Sequence, residues 1–253
     1  EPTIITELIS NGSLEKIIYE TRVIPQWTPT KKYIFLIGIA CGMNYLHQNQ
    51  VAHRDLKPAN ILIDENFYPK ICDLGLSRCF PETFDKSIEL SISGCFGTCR
   101  YMAPELINDE NEKYDPKKID VYSFSIVAYE ILTGRKFICG NNEGQIILNV
   151  LKGIRPPIND NITEKMFNLL SLCWDENPKK RPNFSEIYYH LTSDYSSYMN
   201  EPLDTDEIDN YRSHINGDPK TSNHFVLGNI YIDEKELNDL FFENKDYIKT
   251  NVN

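Results

Sequence analysis

The chain has 253 residues, a formal net charge of −11, 41 % hydrophobic residues and 25 % charged residues. This length allows one large domain or two small ones, and the composition is that of an ordinary soluble globular protein. The acidic balance argues against nucleic-acid binding, because phosphate contacts need clustered Lys and Arg. The longest apolar run is too short to span a bilayer, and no signal peptide is visible. Seven cysteines without a C-x-x-C pair favour reduced thiols in a cytoplasmic protein.

The first part of the chain predicts a strand and two helices. Residues 2–8 are apolar and β-branched and precede turn-forming residues, which predicts a strand. A short helix is predicted over 14–20. After two prolines, Thr30 is predicted to cap a long helix that runs to about Gln48. Apolar residues cover nearly all sides of this second helix, so it is expected to be buried.

Beyond the long helix, the sequence predicts much helix and little strand. Short strands are expected at 61–63 and 70–72, followed by a long polar loop over 73–100. Three further helices are predicted: 121–132 with a C-cap at Gly134, one capped by Thr163, and one from a capping box at Asn183 and Glu186 to about Ser193.

The C-terminal stretch 200–253 differs in composition from the rest. It carries 12 acidic and 5 basic residues, against 25 and 21 in residues 1–199, and few aliphatic ones. This texture predicts an acidic polar tail that is mobile. The alternative is a small appendage that docks elsewhere, with a strand at 225–232 and a short amphipathic helix at 234–247.

Chemistry-bearing residues are concentrated in three short motifs. His53-Arg54-Asp55-Leu56-Lys57-Pro58-Ala59-Asn60 follows the long helix, and Asp73-Leu74-Gly75 begins thirteen residues after Asn60. Ala103-Pro104-Glu105 closes the polar loop. Carboxylate and amide oxygens suit Mg²⁺, a nearby Lys can neutralise a phosphate, and a further Asp can orient a hydroxyl.

In this order the three motifs resemble those of the eukaryotic protein kinases, H-R-D-L-x-x-x-N, D-F-G and A-P-E. Leu74 replaces the Phe of D-F-G and keeps an apolar side chain, so no loss of function is inferred. The segment CWDENPKKRPNF, residues 173–184, resembles the family's closing segment in the tyrosine-kinase-like group. The resemblance covers residues 1–195 and implies a mainly α fold, the C-terminal lobe of a protein kinase with short β-hairpins.

The resemblance implies a catalytic role for several of these residues. Asp55 resembles the catalytic base, and Asn60 and Asp73 resemble the Mg²⁺ ligands, with Mn²⁺ as an alternative metal. Lys57 resembles the γ-phosphate contact of serine/threonine kinases. Thr98 resembles the threonine that contacts the catalytic Asp and Lys in the same group.

Other positions resemble structural or regulatory residues of the family. Asp120 resembles the aspartate that holds the catalytic-loop backbone, and Glu105 with Arg181 resembles the ion pair behind A-P-E. His53 is expected to be a packed core residue rather than a proton shuttle. Arg54 implies control by phosphorylation of the loop. The candidate acceptor residues are Ser77, Thr83, Ser87, Ser91 and Ser93.

The opening stretch IITELISNGSL resembles the strand that leads into the kinase hinge. By this match Thr6 is the gatekeeper, Glu7 and Ile9 offer backbone groups to adenine, and Leu62 forms the pocket floor. The 253 residues contain no glycine-rich loop and no strand Lys with a partner Glu. The small N-terminal lobe is therefore expected to be almost wholly absent, and the chain as given to be inactive or nearly so.

The sequence predicts a fragment of a protein serine/threonine kinase that transfers the γ-phosphate of ATP to protein substrates. Residues 1–9 would be the last small-lobe strand and the hinge, 10–199 the C-terminal lobe and 200–253 the tail. Within the lobe, the catalytic loop would be 53–60 and the activation segment 73–105. Two alternatives stay open: a catalytically dead kinase-like docking module, and a dual-specificity or tyrosine kinase.

Overall fold

A computed structural model describes residues 8–19, 24–74, 78–79, 99–107, 114–158 and 160–215. The predicted strand at 225–232 and the predicted helix at 234–247 lie outside these ranges, as do most of the polar loop and all but the last residue of the predicted opening strand. The helices are α1 Leu14–Ile18, α2 Pro29–Gln48, α3 Pro104–Ile107, α4 Pro116–Thr133, α5 Glu143–Leu151, α6 Glu164–Cys173, α7 Phe184–Ser193 and α8 Thr205–Ile215. The strands are β1 Val51–Ala52, β2 Ile61–Ile63, β3 Pro69–Ile71 and β4 Arg78–Cys79.

The predicted mainly helical fold with short β-hairpins is confirmed. Two antiparallel strand pairs are present in the described part of the chain, β1 with β4 and β2 with β3. In the second pair Ile61 lies opposite Ile71 and Ile63 lies opposite Pro69. None of the helices that the structure describes has both the length and the apolar character needed to cross a membrane.

Helices α2 and α4 form the centre of the core. As predicted, they are buried on nearly all sides, and residues such as Ile37, Leu36 and Ile126 are completely inaccessible to solvent. Helix α7 packs along α2, where the Tyr33 hydroxyl donates a hydrogen bond of 2.9 Å to the Leu191 carbonyl oxygen. Helices α2 and α4 also support the loop of the site described below.

The helix ends follow local capping chemistry, with one correction. Thr163 accepts a hydrogen bond from Met166 N, and Gly134 ends α4 with φ +64°, as predicted. The predicted cap Thr30 is wrong. Thr28 accepts the hydrogen bond from Lys31 N at 3.1 Å, because Pro29 suits the first helical position and moves the helix start two residues earlier.

Two glycines let other elements approach α2 closely. A Cβ atom on Gly38 would overlap the Tyr211 hydroxyl of α8 and lie 2.5 Å from Pro69 Cγ of β3. A Cβ atom on Gly42 would lie 2.8 Å from Ile71 Cδ1. Real Cβ contacts are not this short. The hairpin β2–β3 and helix α8 can therefore pack here only because residues 38 and 42 of α2 have no side chain.

Helix α8 was not predicted, although it lies at the start of the expected polar tail. Its residues Ile208 and Tyr211 are 0 % and 3 % exposed, and it packs against α2. Only this apolar stripe signals the helix in the sequence, because the helix as a whole is rich in charged and polar residues. The burial of these two side chains makes α8 part of the folded unit.

Gly38→Ala should lower the free energy of unfolding by about 1–3 kcal/mol, because the added methyl group overpacks the contact with α8 and β3. In a Tyr211→Phe background the hydroxyl is absent, so the cost should fall while the Pro69 contact keeps part of it. Urea denaturation of the four proteins measures this coupling.

Gly144→Ala is the matched control, since its Cβ would meet only Asn142 Oδ1 at 3.5 Å. We expect this helical substitution to be neutral or to stabilise by up to about 1 kcal/mol. An equal cost of Gly38→Ala in both backgrounds would show that the contact between Gly38 and Tyr211 does not form.

Candidate active site

The buried carboxylate of Asp120 holds the backbone of the 53–60 loop. Its Oδ1 accepts a hydrogen bond of 2.7 Å from Arg54 N, and its Oδ2 accepts one of 2.9 Å from His53 N. His47 Nε2 donates to the same Oδ2 at 2.8 Å. The loop needs this anchor because Arg54 adopts φ +69°, which is unfavourable for a residue with a side chain. The motif resemblance predicted that Asp120 holds this loop. It did not predict the contribution of His47, because a single imidazole at the end of an apolar helix gives no signal in the sequence.

Asp55, Lys57 and Asn60 meet at the end of this loop. Lys57 Nζ lies 2.6 Å from Asp55 Oδ2, and Asn60 Nδ2 donates to the same oxygen at 2.9 Å and to the Asp55 carbonyl at 2.8 Å. Asp55 and Asn60 are only 8 % and 6 % exposed. The Asp55 carboxylate is thus fixed by the Lys57 ammonium group and the Asn60 amide. Because the amide nitrogen of Asn60 is directed toward Asp55, its side-chain oxygen is the atom that could bind a metal ion.

The hairpin β2–β3 brings Asp73 to the same end of the fold as Asn60. Cys72 N donates a hydrogen bond of 2.9 Å to the Asn60 carbonyl, and His53 Nε2 donates one of 3.0 Å to the Cys72 carbonyl. Asp73 follows with φ +64° and an exposed side chain. Burial and the negative charge of Asp73 raise the pKa of the Cys72 thiol.

The donor set of this corner fits a hard divalent cation. Asn60 offers an amide oxygen and Asp73 an exposed carboxylate, which are ligand types that Mg²⁺ prefers. Within the described ranges, no group of three or more His, Cys, Asp or Glu side chains could hold a metal ion by itself. The remaining ligands of such a cation would therefore come from water and from the substrate's phosphates.

The predicted adenine-side residues are only partly described. Thr6 and Glu7 lie outside the described residues, as do Thr98, Gly75 and the five candidate phosphorylation sites. Ile9 and Leu62 are half-buried. Residues 12–13 lie along β2, where Ile63 N donates to the Gly12 carbonyl at 3.0 Å and Ser13 forms a bridge with Leu62. This pairing brings residues 12–13 close to the strand that follows Asn60.

The predicted pair of Glu105 and Arg181 forms a bidentate ion pair. Arg181 Nη1 and Nη2 lie 2.6 and 2.9 Å from the two carboxylate oxygens of Glu105. The Arg181 side chain is 0 % exposed, and it also donates to the carbonyl oxygens of Lys118 and Asp175. Five-donor guanidinium geometry suits these partners, so the pair ties α3 to α4 and to the turn before α7.

Sequence reasoning missed a second buried carboxylate, Glu130 of α4. Its Oε2 accepts hydrogen bonds from the hydroxyls of Tyr19 at 2.6 Å and Tyr101 at 2.9 Å, and its Oε1 accepts one from Phe137 N at 2.8 Å. Burial raises the pKa of Glu130, and these donors together with the charge of Arg100 oppose that shift. The network joins the segment after α1 to the turn before α3, and only the long-range fold brings its members together.

A pocket of about 420 Å³ lies beside that turn and does not include Asp55, Asn60 or Asp73. Its described lining is mixed in charge, since Arg100 and Lys136 stand beside Glu143. Lys136 Nζ lies 3.7 Å from Glu15 Oε1, and Arg100 Nη1 donates to the Phe137 carbonyl at 3.1 Å. The pocket is therefore separate from the loop that carries the candidate site.

The chain matches a family model described as protein tyrosine and serine/threonine kinase over residues 1–191. The chain belongs to this family. The resemblance inferred from the three motifs is thereby confirmed.

Several curated kinases are similar to this chain. It is 37 % identical over 210 residues to "Ankyrin repeat and protein kinase domain-containing protein 1" of Mus musculus, which covers 79 % of this chain and 27 % of that protein. It is 37 % identical over 185 residues to "Serine/threonine-protein kinase STY17" of Arabidopsis thaliana, covering 73 % and 30 % of the two chains. For "Serine/threonine-protein kinase CTR1" of the same plant, the identity is 35 % over 188 residues, covering 73 % and 22 %. The chain thus spans less than a third of the length of these relatives.

Asp120→Asn should lower the free energy of unfolding by about 2–3 kcal/mol. The substitution removes the negative charge and one of the two oxygens that accept the three hydrogen bonds. The amides of His53 and Arg54 should exchange with solvent faster, as measured by hydrogen–deuterium exchange. Asp115→Asn in the same helix is the control, since Asn caps a helix as well as Asp does. Equal effects of the two substitutions would contradict the anchoring role of Asp120.

Glu105→Gln should cost about 3 kcal/mol in urea denaturation, because it leaves the buried guanidinium of Arg181 without a counter-charge. Lys165→Met is the control: it removes an ion pair with Asp194 whose side chains are 44 % and 42 % exposed. Removing that exposed pair should leave the urea midpoint nearly unchanged, because solvent screens it. A Glu105→Gln protein as stable as the control would show that the buried pair does not stabilise the fold.

Proposed function

We propose that this protein is a serine/threonine protein kinase that transfers the γ-phosphate of ATP to hydroxyl groups of protein substrates. The observation that carries the proposal is the fixed Asp55 carboxylate, held by Lys57 at 2.6 Å and Asn60 at 2.9 Å. Family membership supports the phosphotransfer class. The names of the relatives STY17 and CTR1, both serine/threonine-protein kinases, support the choice of hydroxyl.

In this proposal Asp55 orients the substrate hydroxyl and accepts its proton. One of its carboxylate oxygens is engaged by Lys57 and Asn60, which restricts the carboxylate to one orientation. Phosphoryl transfer has a loose transition state, so positioning of the attacking oxygen contributes more than covalent chemistry. A carboxylate that is 8 % exposed retains this orientation better than a mobile surface one.

Lys57 is proposed to contact the transferred phosphoryl group while it stays paired with the Asp55 carboxylate. Its side chain is 24 % exposed, so it is partly accessible to solvent. A cation beside the transferred group neutralises charge that spreads over the phosphoryl oxygens. This Lys, two residues after the catalytic Asp, supports serine/threonine over tyrosine specificity.

Asn60 and Asp73 are proposed to hold Mg²⁺ with their amide and carboxylate oxygens. The metal, when bound, neutralises the phosphate oxygens of ATP. The backbone hydrogen bond from Cys72 N to the Asn60 carbonyl keeps Asn60 close to the start of the segment that carries Asp73. Thr6, Glu7, Ile9 and Leu62 remain the proposed contacts of the adenine ring.

The proposal is tested with the protein that is expressed from the whole gene containing these residues. Phosphorylation of a mixed peptide library with Mg²⁺ and ATP should yield phosphoserine and phosphothreonine. Asp55→Asn should lower kcat by about 10²–10⁴-fold, the range of a lost acid–base group. Glu164→Gln is the control, since it neutralises an exposed carboxylate on α6 and should leave kcat unchanged.

Other results would favour the two alternatives. Phosphotyrosine as the main product would support a tyrosine or dual-specificity kinase. A wild-type protein that neither transfers phosphate nor gains thermal stability from Mg²⁺ and ATP would support a docking module. Wild-type activity retained in Asp55→Asn would overturn the role given to this carboxylate.

A further inference from the structure

Helix α8 lies beyond residues 1–191, which match the family model, yet it contacts the hairpin that leads to Asp73. The ring of Tyr211 packs against the ring of Tyr68 with a centroid distance of 4.6 Å. Pro69 and the Tyr211 hydroxyl share the space left by Gly38. Tyr211 is 3 % exposed and Tyr68 is half-buried, so this contact holds the turn end of the hairpin against α2.

Lys31 of α2 adds a polar junction between the same three elements. Its Nζ lies 2.8 Å from Glu207 Oε1 of α8 and donates to the Asn66 carbonyl of the hairpin turn at 3.1 Å. The same ammonium group lies 4.2 Å from the centre of the Tyr68 ring. With 12 % of its side chain exposed, Lys31 is better shielded from solvent than a surface cation, which strengthens these contacts.

The turn of the β2–β3 hairpin lies only a few residues from Asp73 along the chain. The turn is closed by the Asp64 carboxylate, whose Oδ1 accepts hydrogen bonds from Asn66 N and Tyr68 N at 2.9 and 2.8 Å. Three residues separate Pro69 from Asp73: Lys70 and Ile71 belong to the paired strand β3, and Cys72 N donates a hydrogen bond to the Asn60 carbonyl. A shift of the turn therefore moves the end that carries Asn60 and Asp73.

We propose that α8 is a positioning element of the candidate active site and that Tyr211 is its positioning residue. By packing on Tyr68 and Pro69, the helix sets where the hairpin presents Asp73 relative to Asn60. The consequence for metal binding rests on the proposed kinase function. The mechanical coupling between α8 and the hairpin does not depend on it.

The mechanical part is tested by hydrogen–deuterium exchange of the 253-residue chain. Tyr211→Ala should speed the exchange of the Tyr68 and Cys72 amides, whereas Tyr211→Phe, which keeps the ring, should restore the wild-type rates. Tyr189→Ala is the matched control, because Tyr189 of α7 is 68 % exposed. Faster exchange in α8 alone, with unchanged Tyr68 and Cys72, would overturn the coupling.

The functional part is tested in the natural gene product. Tyr211→Ala should raise the Mg²⁺ concentration for half-maximal rate and lower kcat, each by about tenfold, since small displacements of catalytic groups are costly. The KM for the peptide substrate should not change, and Tyr211→Phe should restore both values. An unaltered Mg²⁺ dependence would overturn the positioning role.

The two tests separate this inference from the function on which it rests. If the wild-type protein transfers no phosphate, the proposed function fails, and the exchange experiment still decides whether α8 holds the hairpin. If the wild type is active but Tyr211→Ala behaves as Tyr189→Ala does in both assays, only the positioning role fails.

Discussion

The site depends on one buried negative charge, the carboxylate of Asp120. Removing such a charge from water is costly unless hydrogen-bond donors replace the solvent, and here His47 and the amides of His53 and Arg54 do so. The arrangement joins the end of α2 and the loop after it to the middle of α4. Because Arg54 sits in a left-handed conformation, the loop takes its shape from this anchor rather than from local preference.

The anchor requires rigid supports, and the two central helices supply them. Both α2 and α4 are apolar on nearly every side, so they are surrounded by other elements and cannot rotate without exposing core residues. Gly38 and Gly42 let the β2–β3 hairpin lie directly on α2. The 53–60 loop and the hairpin thus share one support, which keeps Asp55, Asn60 and the residues before Asp73 in a common frame.

Buried ionic groups recur at the points where distant segments meet. Glu105 with Arg181, and Glu130 with Tyr19 and Tyr101, each link parts of the chain that are far apart in sequence. Arg181 and Glu130 each have several partners, which offsets the cost of their burial. Helix α8 adds an outer support to the same frame through Lys31 and Tyr211, on the face of α2 that the glycines leave open.

The sequence by itself determined the features that are local. The order and spacing of the three motifs identified the family, the all-round apolar pattern identified α2 and α4 as buried, and the caps at Thr163 and Gly134 follow from residues within one helical turn. It did not reveal the start of α2, because Pro29 at the first turn outweighs the capping preference of Thr30. The tertiary structure alone decided which partners meet: His47 with Asp120, Glu130 with Tyr19, and Tyr211 with Gly38. These contacts join residues separated by 73, 111 and more than a hundred positions. Their geometry arises from the packing of whole helices, and no short stretch of sequence carries it.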